Sequence, residues 1–174
     1  MKNLKTQLSA ITLIALLVVA GSAFAQRNSI AHALTTFLRP DVKISLIGTV
    51  TRENKPVEVE KAGNLNPGEV LNWTITSMNA GNAPAQNYKT IGEIPTGTAY
   101  VASSAKAEGN VNIVYSIDDG KTFDEKPMID QKQPDGSTKK VAAPVSMYTQ
   151  IRYEWSDPLT EGKQFSASYK VRVK

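Results

Sequence analysis

The sequence predicts an all-β fold, a sandwich of two mainly antiparallel sheets with seven to nine strands and a short helix in front. Three observations carry this. From Val42 onward, apolar residues recur at every second position. Turn-forming clusters such as Asn66-Pro67-Gly68, Asn79-Ala80-Gly81-Asn82 and Asp118-Asp119-Gly120 separate these runs. Most aromatic residues share the parity of the neighbouring aliphatic ones. Strands with one apolar face each cannot satisfy themselves in a single layer, so two sheets must bury those faces against each other.

The chain opens with Lys2 and Lys5, continues through an apolar run from Ile11 to Ala20 broken only by Thr12, and reaches Ala23-Phe24-Ala25 before Gln26. A basic start, a short apolar run and a small-x-small ending predict a secretory signal peptide over residues 1–25, too short in its apolar part for a good membrane span. Next, Ile30, Ala33, Leu34, Phe37 and Leu38 fall on a 3.6-residue stripe behind Ser29 as N-cap, and Arg39-Pro40 ends it. A helical or linker segment is therefore expected over residues 26–41, one too short to hold without packing on something.

The strand domain is expected over residues 42–174. Val42, Ile44, Leu46 and Val50 share one face across Gly48, and Val57 and Val59 alternate with Glu58 and Glu60. Leu71, Trp73 and Ile75 alternate with Asn72, Thr74 and Thr76, followed by a less regular stretch through Tyr88 and Ile91 to Ile94-Pro95. After the Thr96-Gly97 turn comes Tyr100-Val101; then Val111, Ile113, Tyr115 and Ile117 form another alternating set. Ile151, Tyr153 and Trp155 oppose Arg152 and Glu154, and Phe165, Ala167, Tyr169, Val171 and Val173 alternate strictly with polar residues. A single core is expected to take Trp73, Tyr115, Tyr153, Trp155, Phe165 and Tyr169. The stretch from Asp124 to Pro144 shows little periodicity and reads as a long loop, the first candidate for a recognition surface.

Composition narrows the chemistry. The chain has 20 Lys+Arg, 16 Asp+Glu, one His and no Cys. Zero cysteine excludes disulfides, thiol nucleophiles and thiolate zinc sites, and one histidine excludes multi-histidine metal clusters. Removing the signal peptide takes two lysines and no acid, so the excess of base that hints at nucleic acid shrinks to little, and no nucleic-acid partner is expected. An exported domain without disulfides must hold itself by packing, and a mature chain of this size buries about 68–70% of its unfolded surface.

Three stretches together resemble a known family: Pro67-Gly68-Glu69 leading into Val70–Thr76, Asn79-Ala80-Gly81-Asn82-Ala83-Pro84-Ala85, and Ile94-Pro95-Thr96-Gly97-Thr98-Ala99-Tyr100-Val101. Their order is similar to the bacterial conserved-repeat domain of unknown function found in large surface and outer-membrane-associated proteins, and the resemblance covers roughly residues 42 to 174. It implies an immunoglobulin-like sandwich serving as an extracellular building or adhesion module. Family members often come in tandem and some are cysteine-rich, whereas this chain carries one copy and no cysteine.

Few residues have chemical potential. Ser116-Ile117-Asp118-Asp119-Gly120-Lys121-Thr122-Phe123 matches the Asp-box hairpin, whose acid and serine satisfy the backbone of the turn. Asp118 and Asp119 by themselves lack the six or more oxygens of a calcium site. His32 has no evident Ser or Asp partner, and Glu58 and Glu60 on a polar strand face read as solvated rather than as a glycosidase pair. No catalytic, metal or cofactor residue is therefore expected. The expected function is a secreted, non-enzymatic structural or interaction module, periplasmic or at the cell surface, with a protein partner or self-association and no stable membrane span after signal cleavage. A self-assembling filament or matrix subunit, in which Gln26 to Leu38 completes a neighbour's sheet, is the alternative, and a carbohydrate-binding protein the second.

Overall fold

The computed structural model describes residues 38–174, so the expected signal peptide, His32 and nearly all of the expected helix lie outside the described residues. Pro40–Lys174 forms one compact unit. It is all-β, and every strand pair in it is antiparallel. The strands are β1 (Val42–Arg52), β2 (Lys55–Glu58), β3 (Val70–Asn79), β4 (Lys89–Glu93), β5 (Thr98–Tyr100), β6 (Lys106–Ala107), β7 (Val111–Ser116), β8 (Met128–Lys132), β9 (Thr138–Ala142), β10 (Gln150–Trp155) and β11 (Gln164–Val173). Single 3₁₀ turns occupy Val59–Lys61 and Val145–Met147. Among the described residues, no helix is long and apolar enough to cross a membrane.

The larger sheet runs β2-β1-β3-β11-β5, with β6 also on β11; the smaller runs β4-β10-β7; and β8-β9 stand as a separate hairpin. Alternation explains how the two main sheets meet. Leu71 and Ile75 of β3 and Ala167, Tyr169 and Val171 of β11 share a core with Ile151, Tyr153 and Trp155 of β10. Trp73, Tyr115 and Phe165 are partly buried and pack against it, so the expected aromatic set does gather around one core. The buried rings of β10 and β11 satisfy their polar ends: Tyr153 Oη donates to Ser168 O at 2.9 Å, Trp155 Nε1 to Glu108 O at 2.9 Å, and Tyr169 Oη to Glu93 O.

Short polar devices fix the connections. Glu53 and Asn54 both take positive φ, 50° and 64°, closing a two-residue β1-β2 hairpin whose twist suits the flanking strands. Glu69 of the Pro-Gly-Glu motif pairs with the Arg52 guanidinium through both oxygens and accepts the Asn66 N–H at 2.7 Å, tying the turn before β3 to the end of β1. Asn79 is fully buried and makes four hydrogen bonds. Its Oδ1 accepts the N–H of Asp41 at 3.1 Å and of Gly81 at 3.0 Å, and its Nδ2 donates to Ala83 O at 2.7 Å and Leu159 O at 2.9 Å.

Three expectations change. Val59 and Glu60 do not continue a strand but enter the 3₁₀ turn. The stretch from Asp124 to Pro144 contains the β8-β9 hairpin instead of a structureless loop, with Asp135 Oδ1 accepting the Ser137 N–H at its tip. Asp, Gln, Lys and Thr fill most of that ladder, so no apolar alternation marks it. The third change is at β1, where the apolar face is only partly covered.

Candidate interaction surface

The register of β1 on β3 sets Ile44 opposite Ser77, Leu46 opposite Ile75, Gly48 opposite Trp73 and Val50 opposite Leu71. These four β1 residues therefore face the same way as the core residues of β3. Yet Val50 is 3% exposed, whereas Leu46 is 54% and Ile44 60% exposed. The smaller sheet ends at β4 and its β10 shares the core with β3 and β11; Val50 joins that core, against which Val59, Ala62 and Leu65 of the segment after β2 also pack, while Ile44 and Leu46 are left uncovered. Ile47, on the opposite face of β1, is also exposed, as is Ile91 of β4.

Two rings floor the uncovered strip. The Trp73 ring lies over Gly48, and the Tyr169 ring lies over Gly92, each glycine leaving no room for a side chain. Two clefts meet there and share Leu46 and Trp73. One, about 190 Å³, also has Ile47, Glu58 and Glu60 on its wall; the other, about 370 Å³, has Ile91, Glu93 and Tyr169. The buried Trp73 Nε1–H finds no acceptor among the described residues. An unpaired buried donor of this kind costs about 1–3 kcal/mol.

The backbone beside the strip is open on both sheets. β2 pairs with β1 only from Thr49 to Arg52, so among the described residues Val42–Gly48 has no paired strand on its outer side, the 3₁₀ turn Val59–Lys61 lying beside its Leu46–Gly48 end. Asp41 O accepts from Ala80 N on the β3 side, and by alternation Val42, Ile44 and Leu46 turn their N–H and C=O groups outward. β4 is likewise an edge: Ile94 N donates to Thr149 O beside β10, which turns the peptide groups of Lys89 and Ile91 outward. Two unprotected edges with aliphatic side chains are a template for another strand.

The residues singled out for chemistry do not assemble a reaction centre. Asp118 accepts from Ser116 Oγ at 2.7 Å, from Thr122 N at 2.9 Å and from Thr122 Oγ1 at 2.6 Å. Those bonds, the Thr122 hydroxyl foremost, pull its carboxyl down to about 2. All of these contacts are internal to the hairpin, so the acid organises its own turn. Asp119 lines a separate cleft of about 420 Å³ with Glu93, Tyr148 and Lys174. Glu58 is paired with Lys61 at 2.7 Å. On the outer face of the smaller sheet, Glu154 accepts from Lys89 at 3.0 Å and contacts Arg152, whose guanidinium lies 4.0 Å from the centre of the Phe123 ring. Among the described residues no three His, Cys, Asp or Glu side chains gather as a metal site would require.

Sequence reasoning missed the uncovered strip because it read Ile44 and Leu46 as core residues; the glycine between two apolar runs, Gly48, was the one signal of a close approach. Comparison with protein-family models, with curated proteins and with solved structures finds no match for this chain.

Proposed function

We propose that this chain is an exported, non-enzymatic structural or interaction module of the bacterial cell envelope or surface, built as an immunoglobulin-like sandwich and working through the strip between β1 and β4. The observation that carries the reading is the exposure of Ile44 and Leu46 on the core-facing side of β1, beside two open strand edges. A monomer that never met a partner would gain by covering them, and contiguous apolar surface rimmed by polar residues is what protein interfaces use. The N-terminal signal pattern supports export, the conserved-repeat resemblance supports an envelope setting, and the lack of cysteine fits a domain held by its aromatic core.

Cell fractionation with native sizing tests this. Material exported and larger than a single chain, or bound to another protein, is the expected result; replacing Leu46 by Lys releases it as a folded monomer. Retention in the cytoplasm, or hydrolysis of glycans or peptides that one carboxylate substitution abolishes, overturns the reading.

A further inference from the structure

We propose that the strip between β1 and β4 receives residues 30–38 of a second copy of this chain as an added strand, so that copies join head to tail. The inference rests on the interaction-module reading above and names the partner. Among the described residues the smaller sheet ends at β4, and a strand added to the outer edge of β4 would extend that sheet over the cleft lined by Leu46 and Trp73. An added strand there pairs with the outward peptide groups of Lys89 and Ile91.

The chain carries a segment of matching chemistry. Ile30-Ala31-His32-Ala33-Leu34-Thr35-Thr36-Phe37-Leu38 holds no acid, and in extended form Ile30, Leu34 and Leu38 share one side while Ala31, Ala33 and Phe37 share the other. A strand apolar on both sides suits a slot with Leu46 and Trp73 on one wall and Ile91 on the other. The charges agree as well. Arg27 precedes the segment and no acid lies within it, while Glu58, Glu60 and Glu93 stand on the walls of the two clefts. Nine extended residues reach about 30 Å, more than the roughly 17 Å of the five-residue β4.

The occupant comes from another copy. Asp41 is pinned into β1 by its N–H on Asn79 Oδ1 and its C=O on the Ala80 N–H, which leaves only Arg39 and Pro40 for any reversal, and the fixed negative φ of Pro40 does not suit the positive-φ two-residue turn that Glu53-Asn54 makes. Each copy then offers one strand and one slot. Such a heterologous contact closes into a ring or propagates as a filament.

The absence of cysteine makes the test clean. Full-length chains carrying Leu34→Cys or Leu46→Cys are prepared separately, mixed and mildly oxidised. A disulfide-linked heterodimer is expected, with none when Lys170→Cys, on the far face, replaces Leu46→Cys. No 34–46 link above that control overturns the proposal, as does an intramolecular link in the diluted double variant. In parallel, sedimentation velocity compares the unmodified chain with Leu46→Lys, a substitution at an exposed position that leaves the fold intact by circular dichroism. Association is expected to weaken at least about tenfold, and unchanged association overturns the proposal. An exported, catalytically inert chain that is captured through the strip by a different protein, with no 34–46 link, refutes the second-copy occupant while leaving the module reading in place.

Discussion

Replacing Asn79 by Ala should be among the most damaging single changes available to this domain. The side chain is fully buried and bridges the start of β1, the turn after β3 and the loop at Leu159. Truncation strands four groups: the N–H of Asp41 and of Gly81, and the C=O of Ala83 and of Leu159. Only the Leu159 bond is buried at both ends, so it carries the full penalty of about 1–3 kcal/mol, while water reaches the other three and each costs about 0.5–1 kcal/mol. The total is about 2.5–6 kcal/mol, a large part of the roughly 5–15 kcal/mol that holds a typical domain. Urea unfolding followed by the fluorescence of Trp73 and Trp155 measures it, with an unchanged slope and a melting temperature lower by roughly 10–15 °C. Asn79→Asp refines the test. A carboxylate keeps both acceptors but faces the Ala83 and Leu159 carbonyls, which sit at 2.7 and 2.9 Å from the native amide nitrogen. Folding therefore raises the pKa of that acid above its unfolded value near 3.9, so the variant comes closest to wild-type stability below that value and falls behind as pH rises through the folded one. A loss under about 1 kcal/mol in the alanine variant, or a gap in the aspartate variant that does not change with pH, would refute the assignment of Asn79 as the buried polar knot.

Two further outcomes follow from local geometry. Gly48→Ala places a Cβ at 2.7–2.9 Å from three carbons of the Trp73 ring, so crowding of about 1–3 kcal/mol outweighs the roughly 0.5–1 kcal/mol gained in the unfolded chain, and thermal unfolding together with a shifted Trp73 emission detects it; an unchanged melting temperature contradicts the contact. The Asp118 carboxyl should titrate by NMR near pH 2 and move upward in Thr122→Ala; because its folded value is depressed, its contribution is complete above about 4 and disappears as pH falls toward 2, and a midpoint in the ordinary carboxylate range speaks against the hairpin bonds.

The strands with strict alternation were legible because their tertiary surroundings matched their pattern. β11 and β10 each lie in the middle of a sheet with the other sheet across from them, so parity alone predicted which residues are buried. The β8-β9 hairpin was not legible, because its ladder is polar on nearly every rung and only the Ile129–Val141 pair is partly buried. Asn79 was visible only as part of a turn cluster. Its role depends on Asp41 and Leu159, 38 and 80 residues away, and short-range patterns carry no such information. The Asp-box hairpin lay at the other extreme: residues 116–123 contain the partners of the Asp118 carboxylate and the Ser116 hydroxyl, and the turn formed as read.

By itself the sequence determined the all-β class, the parity of the core and the absence of thiol chemistry, because alternation and composition are local properties that any antiparallel packing must respect. It also determined that Val42, Ile44, Leu46 and Val50 share one face. Whether that face is covered was decided only in three dimensions. Val50 is sealed in the core, against which Val59, Ala62 and Leu65 of the segment after β2 also pack, while Ile44 and Leu46, identical in pattern and four to six residues earlier, stand in solvent. Periodicity fixes the direction in which a side chain points; only tertiary packing fixes what meets it there.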